Sequence, residues 1–131
     1  MILSIQVAKF LDSQEVGSYS ESTEGNIYID FTPEGGEKIC INNRVGRKSD
    51  SMSDYRTAGI QVIYKGTENP IESLESAEKI NNTLHGFSGF FIPEGNEIVS
   101  CLNFQGGPYF LGVNNEGKFE YTMNYLIEYK L

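Results

Sequence analysis

The chain closes on residues 119–131, which read FEYTMNYLIEYKL. Every second position carries an aromatic or aliphatic side chain: Phe119, Tyr121, Met123, Tyr125, Ile127, Tyr129 and Leu131. Side chains alternate between the two faces of a strand, so the pattern predicts a single strand with one apolar face. At about 3.3 Å per residue this strand would span roughly 40 Å, which is longer than most strands of globular proteins. A β-strand of unusual length is therefore expected here.

The clearest helix signal precedes it, at residues 69–86. Asn69 is a favourable N-cap, Pro70 suits the first helical position, and Glu72 stands three residues after the cap. Gly86 is a typical glycine at a helix C-terminus. Apolar side chains at helical spacing form one stripe: Leu74, Ala77, Ile80 and Leu84. The pattern predicts an amphipathic helix that packs on the sheet.

The remaining elements are shorter. Residues 2–11 have helical spacing and predict a short N-terminal helix. Residues 27–31 and 39–41 alternate on either side of turn residues 33–36 and predict a hairpin, and residues 58–64 predict a central strand. Two further strands are predicted. One face of the first is formed by Ile98, Ser100, Leu102 and Phe104, and the second is formed by Tyr109, Leu111 and Val113.

The predicted fold class is α+β, with an antiparallel β-sheet on which the short N-terminal helix and the one well-capped helix pack. The element order is α-β-β-β-α-β-β-β. A length of 131 residues corresponds to a single domain, residues 1–131. Hydrophobic residues make up 39% of the chain and charged residues 21%, which is typical of a soluble globular protein.

Charge is unevenly distributed along the chain. The formal net charge is −8, so general binding to nucleic acid is not expected. Residues 38–56 hold five basic and two acidic residues, which gives this segment +3 and leaves −11 for the rest. Much of the segment, residues 42–55, has few apolar side chains and predicts a long loop. Four of its cations are candidate contacts to a partner: Arg44, Arg47, Lys48 and Arg56.

No catalytic, cofactor or metal site is predicted. The single histidine, His85, lies near the end of the capped helix, where it is expected to interact with backbone carbonyls rather than act as a base. Cys40 and Cys101 lie in apolar runs, so buried, reduced thiols in a cytoplasmic protein are expected. One histidine and two such cysteines are too few for a zinc site, and no pair among the fourteen glutamates stands out as a hydrolase pair. No apolar stretch has the length of a membrane span.

Several stretches together resemble a known family. They are RTAGIQVIYKG at residues 56–66, AEKI at 77–80, GPYFLG at 107–112 and NEGKFEY at 115–121. With the element order and the long closing strand, these resemble the small minor capsid and tail terminator proteins of tailed bacteriophages. The shared features are structural and include no catalytic signature.

The resemblance implies a structural role at the junction of phage head and tail. It implies a ring, commonly of six subunits, that caps the tail tube and docks onto the head connector or stopper protein. DNA would pass through the lumen without specific binding, and an acidic wall suits such passage. The implied locations are the virion and, during assembly, the host cytoplasm. The long loop at residues 42–55 and the long final strand are then expected to contact neighbouring subunits. For the basic residues two partners are open, the acidic flank of the next subunit, which is favoured, or DNA in the lumen.

A second interpretation belongs to another class of protein. Aromatic side chains at alternate strand positions can line a ligand site, so a monomeric β-rich binding module is the alternative. The candidate contacts are Tyr28, Tyr64, Tyr109 and Tyr125. Oligomeric state separates the two hypotheses, because only the first requires self-assembly.

Overall fold

The computed structural model describes residues 2–22, 24–44, 46 and 54–131. It contains two helices, α1 (Leu3–Ser13) and α2 (Pro70–Leu84). The strands are β1 (Ile27–Ile29), β2 (Lys38–Arg44), β3 (Tyr55–Lys65), β4 (Gly89–Phe90), β5 (Glu97–Asn103), β6 (Tyr109–Val113) and β7 (Phe119–Lys130). The predicted α+β class and order are confirmed, with the two-residue β4 in addition. No helix within the described ranges has the length and apolar character to span a membrane.

β7 lies at the centre of the sheet and is paired along both edges, so the long final strand that was expected to contact neighbouring subunits is covered by strands of its own chain. The strand order is β1-β2-β3-β7-β5-β4, and β6 also pairs with β7. β3 runs antiparallel along one edge of β7 from Tyr55↔Lys130 to Lys65↔Glu120. β5 and β6 share the other edge, where β5 pairs with the second half of β7 and β6 with the first.

Both helices pack on one face of the sheet, which buries the predicted apolar side of β7. Tyr121, Met123, Tyr125 and Ile127 all lie in the core. α2 contributes the buried side chains Ser73, Ala77, Ile80 and Leu84, while Leu74 is partly buried at its margin. Each large apolar side chain buried in this way contributes roughly 1.5–3 kcal/mol to stability. The opposite face of the sheet carries no helix among the described residues.

The ends of α2 follow the sequence prediction closely. The Asn69 side-chain Oδ1 accepts hydrogen bonds from the backbone N–H groups of Ile71 (2.9 Å) and Glu72 (3.1 Å). These bonds satisfy two of the donors that every helix start leaves open. The helix ends at Leu84, with His85 as its C-cap, and Gly86 follows with a φ of 83°, a backbone conformation that favours glycine.

The predicted hairpin of residues 27–41 is wrong, because β1 and β2 run parallel. Asp30 has a φ of 61°, and its carboxylate accepts hydrogen bonds from the backbone N–H (2.8 Å) and the side-chain amide (2.9 Å) of Asn43. These bonds hold the end of β1 beside the end of β2. The turn at residues 33–36 therefore belongs to a longer connection. This connection carries the chain from the end of β1 back to its start, where β2 begins.

The single face predicted for Ile98, Ser100, Leu102 and Phe104 is also wrong beyond Ile98. The register against β7 shifts between Ile98 and Ser100, as in a β-bulge. Ile98 is buried, but after the shift Cys101 and Asn103 point into the core. Leu102 and Phe104 are 47% and 57% exposed instead. An extra residue in a strand reverses which of the following side chains face the core. Alternation in the sequence does not reveal where the extra residue lies.

Candidate subunit interface

Arg44 stands at the end of β2 on the sheet face that the helices leave open. Its guanidinium donates hydrogen bonds to the Gln61 side-chain oxygen and to the backbone oxygen of Asn43. The Asn43 hydrogen bonds, and to a smaller degree the charge of Arg44, lower the pKa of Asp30 below its ordinary value. Arg44 is exposed, so its charge is available to a partner.

The other candidate contact residues do not all lie on the helix-free face of the sheet. Arg44 pairs with Gly59 across the β2–β3 ladder, whereas Arg56 pairs with Tyr129 across the β3–β7 ladder. Positions 56 and 59 are an odd number of residues apart on one strand, so Arg44 and Arg56 project from opposite faces. Arg47 and Lys48, the other two candidates, lie outside the described residues. The sheet therefore does not gather Arg44 and Arg56 into one patch.

A larger surface feature lies at the opposite side of the sheet, on β5 and β6. Residues 98–115 contain no charged residue, although the chain as a whole carries −8. The apolar side chains of β6 are each between 51% and 56% exposed: Tyr109, Phe110, Leu111 and Val113. Leu102 and Phe104 add to this exposed apolar surface. We call the exposed side chains of residues 98–115, which lie along this edge of the sheet on both of its faces, the uncharged surface; exposed apolar side chains grouped in this way are typical of interaction sites.

The backbone of β5 on this side is already capped by the end of α2. The Cys101 oxygen accepts a hydrogen bond from Gly86 N–H (2.7 Å), and Asn103 N–H donates to His85 Nδ1 (3.0 Å). β6 has no such cap: in the described part of the chain its only strand partner is β7. One edge of β6 is thus open, and open apolar edges readily pair with another strand.

A shallow pocket of about 150 Å³ opens on the helix-free face beside this region. Leu126 forms its floor beside Leu102, and Glu128 pairs with both Thr57 and Ser100 in the strand register. Its lining residues are Thr57, Ser100, Leu102, Phe104, Leu126 and Glu128. An apolar wall with one carboxylate suits a partner's side chain that has an apolar stem and a polar or basic end.

The four tyrosines of the alternative hypothesis do not form a common platform. Tyr64 and Tyr125 are buried in the core beneath the helices, and burial raises the pKa of Tyr64 to about 12. Tyr28 lies buried at the β1 side of the sheet, packed edge-on against Phe31. Only Tyr109 is substantially exposed, and its hydroxyl donates to the backbone oxygen of Gln105.

The remaining candidates have structural contacts. The prediction that His85 contacts backbone carbonyls at the helix end was wrong about its hydrogen-bond partner. His85 Nδ1 instead accepts a hydrogen bond from the Asn103 backbone N–H. Cys40 and Cys101 are free and buried, as predicted, and burial raises the pKa of Cys101 to about 12. Across the described ranges, no group of three or more His, Cys, Asp or Glu side chains is arranged to hold a metal ion.

The uncharged surface was not predicted, although the sequence carried a signal for it. Alternation placed Leu102 and Phe104 on one face with Ile98, whereas the register shift in β5 leaves Ile98 buried and these two side chains exposed. The run of uncharged residues from 98 to 115 in so acidic a chain was the available indication.

Taken together, a two-layer α+β domain with an open apolar strand edge has the construction of an assembly subunit. A search of curated protein sequences gave no significant match. The family model for bacteriophage tail terminator proteins, however, matches residues 10–131. The chain therefore belongs to the phage tail terminator family, and its role is that of a structural component of the phage tail in the virion.

Proposed function

We propose that the protein caps the tail tube as a ring of identical subunits, a hexamer, and joins the tail to the head. The observation that carries this proposal is the uncharged surface. Copies that each carry −8 repel one another, and a surface without charge allows them to meet there and to bury apolar area. Residues 98–115 provide that surface, and family membership indicates the tail end as the place of assembly.

The proposed partners are the tail tube protein on one side of the ring and the head connector or stopper protein on the other. DNA passes through the lumen without specific binding, because an acidic subunit offers few cations to hold phosphates. The role is structural, not enzymatic. Assembly of the ring takes place in the host cytoplasm, and the finished ring remains at the head–tail junction of the virion.

The basic residues have a proposed role within the ring. Arg44, Arg47, Lys48 and Arg56 contact the acidic flank of a neighbouring subunit. Arginine forms paired hydrogen bonds with carboxylates, and each neighbour carries many of them. Because Arg44 and Arg56 project from opposite sheet faces, they would reach different parts of the neighbour.

Genetic depletion followed by addition of the purified protein tests the function. Tails assembled without this protein should lack a uniform end and should fail to join heads, and addition of the protein should restore both properties. Electron microscopy of tail ends and counts of joined particles measure the result. Tails that end uniformly and join heads in its absence would contradict the proposal.

A further inference from the structure

The sheet has a second open region at the end opposite β6. β1 is the outermost strand there, and β2, β3 and β7 separate it from β6. Ile27 N–H already donates to the Ser18 oxygen (3.0 Å), and Tyr19 forms an isolated bridge to Ile27. Beyond this bridge, the described residues supply no strand partner along the outer edge of β1.

An apolar groove of about 110 Å³ runs beside this edge. Tyr19 and Glu21 belong to one wall, and β1 itself forms the other. Phe31 closes one part of the groove; it is 56% exposed and contacts Tyr28 with ring centroids 5.6 Å apart. We call this feature the β1 groove. It offers aromatic and aliphatic walls with a single carboxylate, that of Glu21.

We propose that β6 of one subunit docks into the β1 groove of the next copy of this chain, which continues the sheet from subunit to subunit. This inference rests on the proposed ring. An open apolar strand and an apolar groove lie at opposite ends of one sheet, so a single copy carries both halves of the contact. A contact between two different surfaces repeats head to tail and closes into a ring when the rotation permits.

Charge favours a second copy as the occupant of the groove. Residues 98–115 bring no charge to the contact. At the groove, Glu21 has Lys9 at 3.9 Å and the Lys38 ammonium stands over the Tyr28 ring, so this pairing opposes few like charges in two chains of −8. Pairing of β6 with β6 would also bury apolar surface. It would, however, be two-fold symmetric, would stop at a dimer, and would leave the β1 groove uncovered.

The first test compares two substitutions that change net charge equally. Leu111→Glu places a carboxylate on the half-exposed β6, and Ile71→Glu places one at a 63% exposed position on α2. Leu111→Glu should raise the protein concentration needed for ring formation on purified tail tubes by about tenfold or more, because it inserts a charge into an apolar contact. Ile71→Glu should assemble like the wild type. Equal assembly of both variants, with unchanged thermal midpoints, would overturn the inference.

The second test locates the contact by cross-linking. Leu111→Cys and Phe31→Cys place thiols on β6 and beside the β1 groove, while Cys40 and Cys101 stay buried and serve as an internal control. With a short bis-maleimide and tail tubes, the double variant should give a ladder up to the closed ring, and each single variant should remain monomeric.

The outcomes separate this inference from the proposed function. Rings that are visible on tail tubes but give no ladder would overturn the β6–groove contact and leave the ring intact. Dimers from Leu111→Cys alone would show that β6 pairs with itself, which also overturns the inference. Tail tubes that bind the protein without any ring would contradict both proposals.

Discussion

The Tyr125 hydroxyl donates a 2.7 Å hydrogen bond to the Asn81 side-chain oxygen, which joins the centre of β7 to the last turns of α2. The same oxygen accepts a second hydrogen bond from the Asn103 amide at 3.0 Å. Asn103 in turn donates its backbone N–H to His85 Nδ1. The long strand, the capped helix and the bulged strand β5 therefore meet in one partly buried polar network.

Tyr125→Phe tests the strand–helix bond in this network. The phenylalanine ring fills nearly the same volume, so the change removes little beyond the hydroxyl. Because Asn81 keeps its bond from Asn103, we expect a loss of about 1 kcal/mol in the free energy of unfolding. Urea unfolding followed by circular dichroism measures it.

Tyr121→Phe is the matched control, since Tyr121 lies on the same face of the same strand. It should change stability less than Tyr125→Phe does. Equal losses in the two variants would contradict the role given to the Asn81 bond.

His85→Gln tests whether the histidine is needed for more than structure. Glutamine keeps a side-chain acceptor near the Asn103 N–H, so assembly on tail tubes should be unchanged and stability should fall only slightly. His85→Leu removes the acceptor and should lower the free energy of unfolding by about 1–2 kcal/mol. Ring formation and the thermal midpoint are measured for both variants. Loss of assembly in His85→Gln with an unchanged midpoint would reveal a direct role for the imidazole.

The sequence allowed prediction of the elements that depend on local periodicity. α2 has a cap, a proline, an apolar stripe and a terminal glycine, all within one contiguous segment. β7 has unbroken alternation, and its long pairing with β3 follows from that length. In both cases the information is local, so neighbours in space were not needed to recover it.

The errors arise where contacts distant in sequence decide the outcome. The direction of β2 relative to β1 depends on Asp30, whose carboxylate is bonded to Asn43 thirteen positions away. The exposure of Leu102 depends on a register shift against β7. That shift decides which side chains of β5 face outward. The candidate interface at β5 and β6 therefore could not be predicted from alternation alone.

The buried Tyr64 hydroxyl predicts a loss of folding stability at high pH. Burial raises the pKa of Tyr64 to about 12, so the folded protein keeps this proton above pH 10 while the unfolded chain releases it. The folded state then binds more protons, and its stability falls as pH rises from 10 towards 12. At pH 12 the loss from Tyr64 alone is about 2 kcal/mol.

Tyr64→Phe provides the check. Urea unfolding at a series of pH values from 8 to 12 should show a shallower alkaline decline for this variant than for the wild type. Cys101 adds to the decline in the same direction, since burial also raises the pKa of its thiol to about 12. Parallel declines in Tyr64→Phe and the wild type would contradict the assignment.

The basic residues near the end of β2 give the last prediction. Arg44→Glu combined with Arg47→Glu should weaken ring formation and leave the subunit folded, because Arg44 is exposed and surface changes alter stability little. In the proposed ring of acidic subunits, these arginines would face carboxylates of the neighbour, and their reversal to glutamate would replace attraction with repulsion. Lys79→Glu combined with Lys130→Glu changes net charge equally at two exposed positions outside the basic segment and should assemble nearly as the wild type does. The difference between the two pairs should shrink as salt is raised, because screening weakens the wild-type contact as well. Sedimentation on tail tubes at several salt concentrations measures the effect.

Normal assembly of the arginine variant together with poor DNA retention in joined particles would assign these cations to the lumen instead of the subunit contact.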